Sequence, residues 1–501
     1  MADKPTGNAE PAAIPPTDTP VDRLVETKHH VTVEGRDLRY TATVGTIVLR
    51  EEAVKQNETG PTVEAAKARA TIFFVAYTLD AVADRRRRPI TFAFNGGPGS
   101  ASLWLHLGLL GPKRVPMDDE GHPLPPPYSL VDNELSLLDS TDLVFIDPVS
   151  TGYSRVLPGE AANQYHGFSR DIEAIGDFIR LYTTRYGRWL SPTYLAGESY
   201  GTTRAAGLAG YLQERHGLYL NGLMLISSVL NFQTIEQEPG NDLPYLLFLP
   251  SYTATAFYHR RLPAELQSDL PATLAEVEAF ALGEYATALL RGAGLPAEQR
   301  AAIAARLARY TGLSEQYIAR SNLRVRDDRF VKELLRDEAR TVGRLDSRFT
   351  GVDRDAVGER SDLDPSLAAL VGPYTAALND YVRADLKFES DLPYEGLTGR
   401  VHPWRADHEN KYIDVAETLR AAITRNPHLR VYIASGYYDL ATPYFATDYT
   451  LNHLSLDAQM RDNLSVSYFA AGHMMYIHRP SLAKLRHDLV AFLHVAGGQM
   501  G

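Results

Sequence analysis

Gly197-Glu198-Ser199-Tyr200-Gly201 is the segment of this 501-residue chain where residue types and spacing most directly permit chemistry. A serine on a sharp strand-to-helix turn, flanked by glycines, can be held out at a sheet edge as a nucleophile. Taken alone, the same spacing also reads as an ordinary connection whose glycines serve packing. Its surroundings favour the nucleophile elbow. Tyr194–Ala196 is strand-like, and Ala205, Leu208, Ala209 and Leu212 then recur at helical spacing as far as Gly217.

A serine hydroxyl needs a base, and the base needs an orienting acid. Behind an elbow of this kind the acid follows the serine in sequence and the histidine follows the acid. Asp439 closes Ser435-Gly436-Tyr437-Tyr438-Asp439 after the apolar Val431–Ala434, and His473 lies in Ala471-Gly472-His473-Met474 after Leu464–Phe469. Both stand just past the C-terminal ends of predicted strands, where open α/β sheets carry their sites. Most isolated Asp and His residues are surface or core members; order and position single out His473 among 15 histidines, with His478 and His453 as alternatives. Asn95-Gly96-Gly97-Pro98-Gly99-Ser100 follows the strand-like Ile90–Phe94. It reads as a tight turn, or as a turn aiming backbone N–H groups at a developing oxyanion, with the Tyr200 N–H as second donor. It is not a phosphate loop, because neither G-x-x-x-x-G-K-[ST] nor G-x-G-x-x-G is present. No H-E-x-x-H and no Cys occur, and His29-His30 lies close to the tail, so metal chemistry has little support.

The elements that would position these residues alternate. His30 to about Arg50 reads as an opening hairpin or meander broken by Gly35 and Gly45. Thr71–Thr78, Ile90–Phe94, Leu143–Ile146 and Leu223–Ile226 are short buried-type strands, and Phe168–Tyr182 is an amphipathic helix. Strands alternating with helices predict a parallel α/β sheet. Arg85–Arg88, four consecutive arginines, read as a solvated hairpin loop in a chain of net acidity. From Ala264 to about Thr341 helices run without strands, with Leu274, Val277, Phe280, Ala281 and Tyr285 on one face and a helix start at Pro296 and Glu298. The alternating pattern resumes near Tyr412 and ends in a helix carrying Leu482, Leu485, Leu489, Phe492 and Leu493.

Composition bounds the function classes. Length allows about three domains, or one large domain with an insertion. Zero Cys excludes disulfides, thiolate metal sites and cysteine nucleophiles. A formal charge of −11 argues against nucleic acid as the main ligand. No apolar run is long enough to suggest a membrane span. Residues 1–24, rich in Pro, Ala, Thr and Asp, predict a disordered tail and not a secretory signal. The absence of a signal favours the cytoplasm, although an exported protein trimmed of its signal would read the same way.

Five ordered segments together resemble the serine carboxypeptidase family: NGGPGSAS (95–102), FIDPVSTGYS (145–154), GESYG (197–201), SGYYD (435–439) and GHMM (472–475). The stretch from Asn221 to Leu249 is most similar to bacterial members. The resemblance implies Ser199 as nucleophile, His473 as general base and acid, and Asp439 as the orienting carboxylate. It implies the N–H groups of Gly97 and Tyr200 as the oxyanion hole. It also implies Asn95 and Glu198 as the pair that recognises a peptide's free C-terminal carboxylate. An ionised Glu only accepts hydrogen bonds, so that last role needs a neutral Glu198. Many members carry a second Glu where Leu109 stands here, so the like-charge contribution to a raised pKa is missing and desolvation by leucines would have to supply it. Ser100 stands where a Cys is frequent in the family.

These readings converge on an α/β-hydrolase fold with a mostly parallel central sheet. The catalytic core would span 25–231 and 403–501, with a helical cap inserted over 232–402. The implied activity is release of C-terminal amino acids from peptides through an acyl-enzyme on Ser199, with no cofactor, no nucleic acid and no membrane. The alternatives are an esterase, amidase or acyltransferase on the same residues, or a non-catalytic binding protein that kept the fold. The Leu and Tyr content near Leu243–Tyr258 suggests an aliphatic or aromatic preference at the leaving side chain.

Overall fold

A computed structural model of the chain describes residues 20–52, 54–57, 60–63, 66–407 and 409–497. Its centre is a sheet built from β1 (Arg23–Val33), β2 (Arg36–Glu51), β3 (Lys67–Leu79), β4 (Ile90–Phe94), β5 (Asp142–Ile146), β6 (Thr193–Ser199), β7 (Gly222–Ser228), β8 (Arg430–Gly436) and β9 (Leu464–Phe469). The spatial order is β1-β2-β3-β5-β4-β6-β7-β8-β9, and Arg155–Val156 adds a short strand beside β3. The first three strands are antiparallel, and β3 meets β5 antiparallel. From β5 to β9 every pairing is parallel.

The parallel strands read as continuous apolar runs because both faces are covered. One face buries Phe92, Leu195, Leu225 and Ile433 under α1 (Phe168–Arg185), α2 (Tyr200–His216) and a helix at Ala416–Arg425. The other buries Ala196, Met224 and Tyr432 under the C-terminal helix, Arg479–Ala496. Gly217 ends α2 in the left-handed conformation, φ 61°, as its sequence position predicts. This is the α/β-hydrolase arrangement.

Four details differ from the sequence reading. Residues 1–19 of the expected tail lie outside the described residues, and Arg23 and Leu24 already pair with Thr46 and Gly45. Gly45 does not break β2; it is needed there because a Cβ would fall 1.8 Å from the Arg23 carbonyl oxygen. Arg88 is not solvated. Its Nε donates to Asp142 Oδ1 at 3.1 Å while Arg188 Nη1 donates to Asp142 Oδ2 at 2.6 Å, all three residues buried. The fourth arginine of the run is thus an internal cross-link at the edge where β5 begins.

The fourth detail is the insertion. Helices α3 (Leu243–Tyr258), α4 (Leu270–Phe280) and α5 (Ala297–Thr311) enclose an apolar cluster of their own, with Leu247, Phe248, Val277, Phe280 and Leu307. That cluster continues into Tyr438, Leu440 and Tyr444, the segment around Asp439. One short antiparallel pair, Thr341–Val342 with Thr350–Gly351, interrupts the expected run of helices. The helix α6 (Pro365–Ala384) belongs to the core layer: Leu370, Tyr374, Leu378 and Tyr381 pack with Val44, Phe73 and Tyr77 of β2 and β3. Strands β1–β3 are joined without crossover helices, so this face of the sheet needs an apolar cover from elsewhere in the chain, and α6 supplies it.

The Asp142 cross-link gives a test of the fold apart from chemistry. Asp142→Ala leaves two buried guanidinium groups unpaired and should cost about 3–5 kcal/mol of unfolding free energy in urea titration. A loss below about 1 kcal/mol would mean that the cluster is effectively solvent-screened.

Candidate active site

Ser199 ends β6 and caps α2, with φ 59° and ψ −131°. A non-glycine residue there is strained by on the order of 1–3 kcal/mol, and surrounding structure must hold it. The flanking glycines make the turn possible by close approach. A Cβ on Gly197 would lie 2.2 Å from the Gly201 carbonyl oxygen, and one on Gly201 would lie 2.7 Å from the Phe94 oxygen at the end of β4. The Tyr200 N–H, in the first turn of α2, has no intrahelical acceptor and lies at the positive end of the helix.

The Gly-rich loop after β4 packs directly on this elbow: a Cβ on Gly96 would meet Tyr200 N at 2.4 Å. Buried Arg204 of α2 fixes the loop, its Nη1 donating to the Asn95 carbonyl at 2.6 Å and its Nε to Asp171 at 2.8 Å. Leu105 N donates to Asn95 Oδ1 at 3.1 Å. Gly97, at φ 100°, lines the same cleft as Ser199 and Tyr200. Residues 145–154 act at one remove: Asp147 Oδ1 accepts from Ser102 N at 2.8 Å and ties the segment after the loop to the end of β5.

Asp439 and His473 meet across adjacent strand ends. His473 Nδ1 lies 2.7 Å from Asp439 Oδ2, with Asp439 fully buried and His473 4% exposed. The other Asp439 oxygen accepts from Ala441 N and Thr442 N at 2.7 and 2.9 Å, and Thr442 Oγ1 donates to Oδ2 at 2.7 Å. Burial by itself lowers the His473 pKa, but the Asp439 carboxylate outweighs it, and the imidazole ends above its ordinary 6.5. Ser199 and His473 line one cleft of about 520 Å³, together with Asn95, Glu198, Arg344 and Met474. The structure gives Ser199 Oγ no hydrogen bond to His473; such contacts tighten when substrate enters.

Glu198 is buried beside the serine. Asn95 Nδ2 donates to its Oε1 at 3.0 Å and Tyr476 OH to its Oε2 at 2.6 Å. Desolvation is the largest influence on it, and the carboxyl is pushed up to about 7. No second carboxylate hydrogen-bonds it. Leu109 lies in the buried turn His106–Leu110, so dehydration does what the missing acid would have done.

Residues 52–241 match the sequence model of the serine carboxypeptidase family. The matched segment is less than half of the chain. The match contains Asn95, Glu198 and Ser199 but ends before Asp439 and His473, whose place in the site rests on the geometry above. A pheromone-processing carboxypeptidase KEX1 from Coprinopsis cinerea is 33% identical over 134 residues, which are 26% of this chain and 20% of that protein. The match therefore spans a fifth of that relative's length. The crystal structure of Kex1, a prohormone-processing carboxypeptidase from Saccharomyces cerevisiae, superposes with a TM-score of 0.53 at 16% identity, covering 90% of this chain and 91% of the other. At that identity the likeness establishes the shared fold.

The site includes residues that sequence reading did not reach. Tyr476 and Thr442 each stand three positions after a motif residue, a spacing that could have flagged them. Arg344 and Leu345 enter from the insertion with no local signal. The fallback histidines lie elsewhere: His478 Nδ1 bonds Ser481 Oγ at the start of the last helix, and His453 bonds the Tyr449 carbonyl. The side chains of α3, from which a substrate preference was expected, form the cap's own core; apolar walls of the cleft come from Trp104, Leu367, Leu397 and Met474. Among the described residues no cluster of His, Asp or Glu is arranged to hold a metal ion.

A raised carboxyl pKa has a signature in stability. Glu198 binds its proton more tightly folded than unfolded, so its contribution is full below pH 4.5 and is lost as pH rises towards about 7. Glu198→Gln removes this loss. The stability of the variant relative to the natural chain should rise between those two pH values and level off above them, measured by urea unfolding across pH. A difference that does not vary with pH would place the Glu198 pKa at its ordinary value.

Proposed function

We propose that this chain is a serine carboxypeptidase that removes C-terminal amino acids from peptides through an acyl-enzyme on Ser199. The observation that carries the reading is the position of buried, proton-retaining Glu198, held by Asn95 and Tyr476, next to a strained serine in one cleft with His473, behind which Asp439 lies. An ester or amide hydrolase needs the serine, histidine and aspartate; an enzyme for free C-termini also has use for a neutral carboxylic acid beside the serine. Protonated, Glu198 can donate a hydrogen bond to a substrate carboxylate. Ionised, it repels one.

The geometry then orders the reaction. His473 accepts the Ser199 proton as Oγ attacks the last peptide carbonyl, and Asp439, held by two backbone N–H groups and Thr442, stabilises the imidazolium without taking its proton. The carbonyl oxygen becomes an oxyanion within reach of the N–H groups of Tyr200 and Gly97, the first at the positive end of α2. His473 returns the proton to the leaving amino acid. Water, deprotonated by the same imidazole, then releases the shortened peptide and regenerates Ser199.

Acyl-side residues have room as well. The cleft continues past Pro98, Tyr200, Phe232 and Glu236 into a larger depression of about 700 Å³ reaching Trp404 and Tyr412. The match of residues 52–241 to the serine carboxypeptidase model supports peptides as substrates.

Two outcomes test the proposal. Peptides with a free C-terminus should be cleaved with kcat/KM at least about 100-fold above their amides, because the amide leaves buried polar groups unpaired. Equal cleavage of amides would favour the esterase or amidase reading and remove Glu198 and Asn95 from carboxylate recognition. For free-acid substrates, kcat/KM should decline as pH rises through about 7, where Glu198 ionises, and Glu198→Gln should extend activity to higher pH. Ser199→Ala should abolish turnover while leaving unfolding unchanged, because alanine keeps the Cβ and the backbone strain of that position.

A further inference from the structure

The insertion does more than roof the cleft. Between its short hairpin strands, the segment 344–348 runs against both loops that carry the base and the acid. On the acid side, Leu440 N donates to the Arg344 carbonyl at 3.0 Å, and Ser347 N and Ser347 Oγ both donate to the Tyr438 carbonyl at 3.0 Å. These bonds grip the residues immediately before and after Asp439. On the base side, His473 N donates to the Leu345 carbonyl at 2.7 Å, and Gly472 N donates to Asp346 Oδ2 at 3.1 Å. One five-residue segment therefore bonds the backbone of both catalytic loops.

Its fit leaves no slack. A Cβ on Gly472 would lie 2.5 Å from Asp346 Cα, Cβ and Cγ alike, and one on Gly436 would lie 2.3 Å from the Gly472 carbonyl oxygen. The glycines of the SGYYD and GHMM segments are where the two loops and the inserted segment meet. Asp346 is itself locked. Arg348 Nε donates to Oδ1 at 3.0 Å and Nη2 to Oδ2 at 2.7 Å, both residues are buried, and Asp346 N donates to Ser366 Oγ at 3.1 Å. A buried carboxylate of this kind is costly unless paired, and here Oδ2 accepts both from Arg348 and from the backbone N–H next to the histidine.

We propose that Arg344–Arg348 is a positioning element for the reaction, with Asp346 as the residue that sets the distance between His473 and Asp439. The inference rests on the Ser199, His473 and Asp439 assignment and adds to it a role for the insertion in catalysis itself. Asp346 touches no reacting atom; it acts through the Gly472 N–H and the backbone of His473. Loss of a hydrogen bond that holds an imidazole in line lowers the rate of the chemical step and leaves substrate binding largely as it was.

The experiment counts functional sites first, by complete labelling of Ser199 with a fluorophosphonate, and then measures kcat and KM per labelled site on an N-blocked peptide with a free C-terminus. Asp346→Asn should lower kcat per site between about tenfold and a hundredfold with KM little changed. Asp142→Asn is the control for destabilisation: it breaks a buried arginine–aspartate pair at the opposite edge of the sheet and should keep the natural kcat per site. A natural kcat in Asp346→Asn, or an equal loss in Asp142→Asn, overturns the inference. Should Asp346→Asn fail to fold, Ser347→Ala removes one tie to the Asp439 loop and no charge. It should lose about threefold in kcat, and an unchanged kcat there overturns the inference as well. If the natural chain takes no label, the proposed function falls, and the inference with it; a labelled natural chain with unaffected variants overturns the inference alone.

Discussion

The close approach of the segments that leave β4 and β6 at their C-terminal ends is the constraint on which the site depends. Ser199 holds a backbone conformation that costs energy, and it can do so only because the Asn95–Gly99 loop and the first turn of α2 are pressed together around it. Glycines at 96, 197 and 201 are the residues through which that pressing occurs. Arg204 then fastens the arrangement from below, sharing its guanidinium between the Asn95 carbonyl and Asp171. The nucleophile, the Tyr200 N–H and the Asn95 side chain are therefore one rigid unit, set by backbone packing before any substrate arrives. Preorganised donors of this sort need no reorganisation as charge develops, which is where most of their catalytic value lies.

Electrostatics in the cleft follow from how dry it is. Glu198 and His473 are both buried, and burial favours the neutral form of each: it keeps the acid protonated and would keep the imidazole unprotonated. Their neighbours decide the result. Asp439, supplied with backbone and hydroxyl donors, stays available to offset imidazole desolvation, whereas Glu198 has two neutral partners in Asn95 and Tyr476 and remains dominated by dehydration. An acid and a base in one site are thereby shifted by different neighbours, the general pattern by which a fold divides acid and base roles.

Much of this was legible in the sequence because parallel strands announce their ends. Ser199, Asp439 and His473 each follow a short apolar run, and a chain that alternates strand and helix places such residues on a common edge. What stayed hidden depended on contacts with no sequence period. Arg88 looks like one of four solvated charges until Asp142 and Arg188 are brought beside it by the meeting of β4 and β5. Helix α6 has the same amphipathic pattern as the cap helices, and nothing local tells which apolar surface it will cover. The bond from Gly472 to Asp346 joins residues 126 positions apart, so neither end carries any mark of the other. Tyr476 is an intermediate case: it sits three residues after His473, but its role as a donor to Glu198 appears only when that carboxyl is seen to be buried.

The insertion changes meaning in the light of these contacts. A cap that merely shaped a pocket could be exchanged for another without touching the chemistry, as loops on a rigid scaffold commonly can be. Here the apolar cluster of the cap runs into Tyr438, Leu440 and Tyr444, and its hairpin tip bonds the backbone on both sides of Asp439 and at His473. The acid and base lie outside the segment that matches the family's sequence model, while the nucleophile lies inside it. The half of the site that sequence similarity identifies is held by glycines and α2. The other half is held by a buried aspartate from the insertion. A chain in which the insertion diverged would then have to preserve the geometry of 344–348 even where nothing else in the cap was kept, because the His473 N–H has its acceptor there.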